Sequence, residues 1–81
     1  EAAYWLGRAY YAQGELDLAL DAFRDAVSYN ANYAEAILYS GLVAEDLGRT
    51  AEAISAYQTV IQLDTDGALA ARARAQLSRL T

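Results

Sequence analysis

Displaced by 34 residues, the chain falls into register with itself. Glu1 lands on Glu35, Ala2 on Ala36, Gly7 on Gly41, Gly14 on Gly48, Ala19 on Ala53 and Ala22 on Ala56. Like replaces like in between: Trp5 pairs with Tyr39, Leu20 with Ile54, Phe23 with Tyr57, Val27 with Ile61, Asn30 with Asp64 and Asn32 with Asp66. A partial third copy runs from Ala68 to Thr81. Similarity at a fixed period of this length marks a stack of small supersecondary units, none of which can bury its apolar face alone.

Each copy reads as two helices. Over Glu1 to Gln13, Ala2, Leu6, Ala9, Tyr10 and Gln13 recur at spacings of three and four, which predicts one buried helical face. Gly14 closes that helix, because glycine accepts the left-handed backbone at a helix end. A second helix is predicted over Leu16 to Ser28, with Leu16, Ala19, Leu20, Phe23, Ala26 and Val27 inward and Asp17, Asp21, Arg24 and Asp25 outward. A link this short makes the two antiparallel. Asn32, followed three residues later by Glu35, is the expected cap of a third helix over Tyr33 to Leu47. Gly48 repeats the turn, and Thr50 is the expected cap of a fourth helix over Ala51 to Leu63, with Ala53, Ile54, Tyr57, Val60 and Ile61 inward. Asp64 to Gly67 is the next connection, with Asp66 the expected cap of a fifth helix over Ala68 to Leu80.

Composition supports an all-α reading. Proline is absent, only five glycines interrupt the chain, and much of its 56% apolar content is alanine, the best helix former. A chain of 81 residues removes only about 60% of its unfolded surface from water. The chain opens at Glu1 partway into a helical pattern and reads as a piece of something longer.

The net charge of −5 is unevenly placed: from Ala68 onward there are three arginines and no acid, leaving −8 on the rest. Such an acidic body argues against nucleic acid, whose binding needs basic charge to release counterions. No apolar run reaches the ~20 residues of a membrane span, so membrane insertion is not expected.

The run Leu6-Gly7, Tyr10, Gly14, Ala19, Phe23, Ala26 resembles the tetratricopeptide repeat, and Gly41, Gly48, Ala53 and Tyr57 carry the likeness into the second copy, with Leu63-Asp64 resembling the pair that ends the unit. The resemblance implies an α-solenoid: a right-handed superhelix of antiparallel helix pairs, with one unit over residues 1–33, a second over 34–67 and a capping helix over 68–81. Small residues at Gly7, Gly41, Ala19 and Ala53 fit that implication by letting helices approach, while Phe23 and Tyr57 fill the space between them. Where the family usually has proline after the leucine-aspartate, Ala31 and Thr65 stand. Ser40 and Ala44 replace Leu6 and Tyr10, so the second unit is expected to pack less apolar volume.

The third copy departs furthest. Arg74, Ala75 and Ser78 stand where Leu6, Gly7 and Tyr10 meet their partner helix, while Leu69, Ala70, Ala73, Leu77 and Leu80 stay apolar toward the preceding unit. That is the pattern of a terminal helix with a wettable outer face. At the other end Ala2, Trp5 and Ala9 face where a preceding unit would lie, and something must cover them.

Chemistry is poorly provided for. With no histidine and no cysteine, the usual general base, thiol nucleophile and transition-metal ligands are missing, so neither catalysis nor a cofactor is expected. Glu45 and Asp46 are adjacent and point apart on a helix, as a solvated acidic surface would. Asp64-Thr65-Asp66-Gly67 starts like a calcium loop, but Ala75 occupies the twelfth position, where a bidentate glutamate is required.

What is left is a surface. The resemblance implies a concave groove lined by the first helix of each unit, here Glu1, Tyr4, Arg8, Tyr11 and Ala12, then Glu35, Leu38, Leu42, Glu45 and Asp46, then Leu69, Arg72, Gln76 and Arg79. Members that grip a chaperone's C-terminal carboxylate carry lysine and asparagine in the first groove helix and asparagine in the second. Tyr4, Arg8 and Leu42 stand there, so that clamp is not expected. The expected function is a scaffold that holds a partner peptide or helix on an aromatic and aliphatic floor, with arginines for acidic groups. The alternative is homo-oligomerisation through the uncapped first unit, with Trp5 as the contact.

Overall fold

The computed structural model describes residues 2–65 and 67–81. Five α-helices follow in order: α1 (Ala2–Ala12), α2 (Leu16–Tyr29), α3 (Ala34–Asp46), α4 (Thr50–Leu63) and α5 (Ala68–Leu80). No strand occurs among the described residues. The chain has an all-α helical repeat fold in which α1, α3 and α5 form one layer and α2 and α4 the other.

The two glycine turns are the same motif. After α1, Gly14 takes φ +81°, its N–H donates to the Tyr11 carbonyl at 3.0 Å, and the Glu15 N–H reaches the Tyr10 carbonyl at 2.9 Å. After α3, Gly48 takes φ +82°, its N–H donates to Glu45 at 3.0 Å, and the Arg49 N–H donates to Ala44 at 2.8 Å. These crossed bonds satisfy carbonyls the helix leaves free and turn the chain back on itself. That is why both helix pairs are antiparallel.

The helix starts differ from the sequence expectation. Neither Asn32 nor Thr50 caps a helix: Tyr33 and Arg49 occupy those positions, without a side-chain cap bond, and Thr50 is already helical. The Asn30 side chain instead accepts the Asn32 N–H at 3.1 Å, shaping the connection before α3. Asp66, the expected cap of α5, lies outside the described residues. The Asp64 carboxylate reaches the Ala70 N–H in the first turn of α5 at 3.4 Å.

Packing inside each pair is set by one glycine. A Cβ at Gly7 would stand 2.7 Å from Phe23 Cε1, and one at Gly41 would stand 2.8 Å from Tyr57 Cε1. Each ring lies flush against the backbone of the facing helix. This fixes the rotation of α1, and the result corrects the predicted stripe. Tyr4 and Gly7 are buried and Ala3, Tyr10 and Tyr11 half-buried, whereas Ala2, Ala9 and Gln13 are exposed and Leu6 is 50% exposed. Leu6 therefore does not meet the partner helix, because the glycine beside it does.

The core has two clusters. One gathers Tyr4, Ala19, Leu20, Phe23, Ala26, Ala36 and Val43, and the other Ile37, Leu38, Ala44, Ala53, Tyr57, Val60 and Ala73. The largest fully buried side chains are Tyr57, Phe23, Leu38, Val43 and Val60. Only Phe23 comes from the first copy, so the expectation of a thinner second unit fails: α3 and α4 have neighbours on both sides, and position in the stack outweighs the losses at Ser40 and Ala44. On α5, Ala70 and Ala73 are fully buried while Arg74, Ala75 and Ser78 face solvent.

Candidate functional site

Layering places α1, α3 and α5 side by side, so side chains one helical turn apart on each can meet across the layer. Near the C-terminal ends of these helices they do. The Tyr11 hydroxyl of α1 donates to Asp46 of α3 at 3.0 Å. The Arg79 guanidinium of α5 donates to Glu45 of α3 and also to its own neighbour Gln76. From the second layer, the Tyr57 hydroxyl donates to the other oxygen of Glu45 at 2.8 Å. Glu45 thus joins three helices, and its side chain is only 14% exposed.

This network moves the tyrosines. Burial is the main cause that pushes the Tyr11 hydroxyl from 10.0 up to about 12, with its bond to Asp46 and the charges of Asp46 and Glu45 adding to the rise. Tyr57 is raised further, again by burial first and then by its bond to Glu45. A phenolate at either place would face a carboxylate.

The other end of the surface is aromatic. The Arg8 guanidinium lies 5.2 Å from the Trp5 ring centre, 5.2 Å from that of Tyr39 and 5.9 Å from that of Tyr4. Below it, Tyr4 is set edge-on against Trp5 at 5.1 Å and against Tyr39 at 5.9 Å. Burial raises the Tyr4 hydroxyl, and the nearby Arg8 charge partly offsets that. Cation–π contact of this kind holds a long side chain in place.

The residues assigned to the groove therefore separate by depth. Arg8, Arg72 and Arg79 are exposed, and Tyr11, Leu42, Glu45 and Gln76 are half-buried. Tyr4 is only 4% exposed and Leu38 is fully buried, so neither offers a face to a ligand. They lie under the surface because they flank the glycines that pull α1 and α3 onto α2 and α4. Glu1 lies outside the described residues. Glu45 and Asp46 do point apart, but each is engaged by a neighbouring helix, so they are not simply a solvated acidic patch. Trp5 is 58% exposed.

Tyr57 and Tyr39 are the participants the sequence reading missed. Tyr57 had a signal: its counterpart one repeat earlier is Phe23, and the added hydroxyl needs an acceptor when the ring is buried. Among the described residues, no group of three or more acids could hold a metal ion, and no helix is long and apolar enough to cross a membrane.

Models described as the tetratricopeptide repeat match the chain twice, over residues 1–33 and over residues 35–67. No curated protein matches it.

Proposed function

Since the chain belongs to the tetratricopeptide repeat family, whose units generally mediate protein–protein interaction and are typically not enzymes, we propose that it is a scaffold holding a partner peptide or helix across α1, α3 and α5. The observation that carries this reading is the pair of cross-helix ties, Tyr11 to Asp46 and Arg79 to Glu45. They fix the spacing of the three helices before any ligand arrives. A surface ordered in advance loses little entropy on binding.

The contacts are Arg8, Tyr11, Leu42 and Arg72. Leu42 and the Tyr11 ring supply the apolar floor, and the two arginines supply cations for acidic groups on the ligand. Tyr4 and Leu38 hold this surface up from beneath. Arg79 is engaged by Glu45 and Gln76 and acts as a brace.

The test is selection of peptides from a random display library on the immobilised chain. Selected peptides are then measured against Arg8→Glu, Leu42→Gln and Arg72→Glu, each at a position not fully buried. Convergent sequences that lose about tenfold or more in affinity on these variants support the groove. Binders indifferent to all three place the ligand elsewhere. A second reading, homo-oligomerisation through α1, is favoured by the exposure of Trp5. Light scattering that reports a monomer at every concentration excludes it.

A further inference from the structure

The two glycine turns share a backbone and differ in what surrounds them. Gly14 and Gly48 take φ +81° and +82°, and the repeat aligns Glu15, Leu16, Asp17, Leu18 and Leu47 with Arg49, Thr50, Ala51, Glu52 and Thr81. Around the first turn, Gly14, Glu15, Leu16, Asp17, Leu18 and Leu47 line a cleft of about 320 Å³, within the ~300–1,000 Å³ of ligand clefts. Around the second, Thr50, Glu52 and Thr81 replace the three leucines, and all three are exposed.

The leucines meet here for different reasons. Leu16 and Leu47 are half-buried and rest on the core cluster of the first pair. Leu18 belongs to neither core cluster and is 45% exposed, at the place where the aligned Glu52 of α4 is paired with Arg24. The stack therefore does not require leucine at this position. Both walls of the cleft come from the first turn, the start of α2 and the end of α3, so it is complete within the described residues. The α1 residues on which a further unit would stack, Ala2, Trp5 and Ala9, are not in its lining.

We propose that this cleft binds a segment of a protein partner that inserts a large apolar side chain flanked by lysine or arginine. The apolar side chain lies among Leu16, Leu18 and Leu47, and the flanking cations face Glu15 and Asp17. Asp21 follows Asp17 by one helical turn and extends the acidic border along α2. All three acids are exposed, and none has an ion pair among the described residues. Charge of this sign favours basic partners and rejects acidic ones. The ligand is thus opposite in charge to the one that Arg8 and Arg72 suit, so this cleft is separate from the groove and neither reading depends on the other.

A second copy of the chain is a poorer occupant. Its basic helix α5 carries Arg72, Arg74 and Arg79, but Leu69, Leu77 and Leu80 on that helix are each half-buried, which leaves it no exposed large apolar side chain to insert.

The probe is a display library of short random peptides, selected on the immobilised chain and counter-selected on its Leu18→Glu variant. That substitution sits at an exposed position where the second copy already has Glu52. It also makes the cleft more acidic, so peptides held by charge alone are removed. Survivors are expected to carry lysine or arginine beside a large apolar residue, and to lose about tenfold or more in affinity on Asp17→Lys. Leu42→Gln and Arg72→Glu, which test the groove, should leave their affinity unchanged, with circular dichroism native for every variant. In the isotope-labelled chain, the Gly14 amide signal should shift on titration while that of Gly48, in the same turn one repeat later, stays in place. An absence of survivors, survivors without basic residues, or survivors that move Gly48 as much as Gly14 overturns the proposal. So does a Gly14 shift that grows with chain concentration in the absence of peptide, which would make a second copy the occupant.

Discussion

α1 and α3 carry the same pattern and meet different fates. Gly7 and Gly41 press equally close to an aromatic ring, and Gly14 and Gly48 close their helices with the same left-handed turn. Yet Val43 is fully buried while Ala9, its counterpart, is exposed, and Tyr39 is half-buried while Trp5 is 58% exposed. The inner face of each helix is set by its own pair. The outer face is set by whatever stacks on it, and α3 has α2 there while no helix among the described residues lies on that face of α1. In a one-dimensional stack, stability is the sum of units and of nearest-neighbour interfaces.

A charge at the aligned positions tests this most sharply. Val43→Glu buries an unpaired carboxylate and should cost about 4 kcal/mol or more, enough to unfold a domain whose whole stability is small. Ala9→Glu should stay within about 0.5 kcal/mol, as exposed substitutions do. Thermal melts followed by circular dichroism read both, and equal losses would mean that the α1 face is covered in solution.

The next effect separates Phe23 from Tyr57. Tyr57→Phe makes the second copy resemble the first and should cost about 1–2 kcal/mol in denaturant melts, because the hydroxyl bonds a charged acceptor. The same network predicts alkaline sensitivity. The Tyr11 hydroxyl titrates at about 12 in the folded chain against 10.0 when free, and Tyr57 is raised too. A group held protonated by folding contributes fully below its unfolded value, so stability should be undiminished up to about pH 10 and fall as pH rises toward 12 and beyond. Combining Tyr11→Phe with Tyr57→Phe should flatten that fall. A slope unchanged by the two substitutions would assign it to other groups.

The smallest expected difference is between the two ion pairs that join helices among the described residues. Arg24 of α2 lies 3.0 Å from Glu52 of α4, with both side chains about half exposed at 54% and 51%. Arg24→Ala should therefore cost about 0.5 kcal/mol or less and fade with salt. Arg79→Ala should cost more, since its partner Glu45 is mostly covered. Urea midpoints in low and high salt distinguish them.

Much of the architecture was legible because its signals are local. Gly14 and Gly48 mark helix ends whatever surrounds them, and five helices follow from spacing and punctuation alone. The helix starts were less so, since Asn32 and Thr50 look like caps but the chain enters α3 and α4 through Tyr33 and Arg49. The Asn32 backbone N–H instead donates to the Asn30 side chain within the connection. Of the residues assigned to the groove, Arg8 and Arg72 are exposed and Leu42 half-buried, whereas Tyr4 and Leu38 fall inward. The period fixes which residues are equivalent but not how far each helix is rotated about its axis.

The sequence alone determined the repeat, the all-α class, the antiparallel pairing and the closing turns, because backbone preferences and helical spacing act over a few residues. Only the tertiary structure decided which apolar stripe of α1 is core, that Glu45 joins three helices through Tyr57 and Arg79, and that Trp5 stays open. Those outcomes depend on close approach at Gly7 and Gly41 and on neighbours far away in the chain. Burial is a property of the stack, not of any one helix in it.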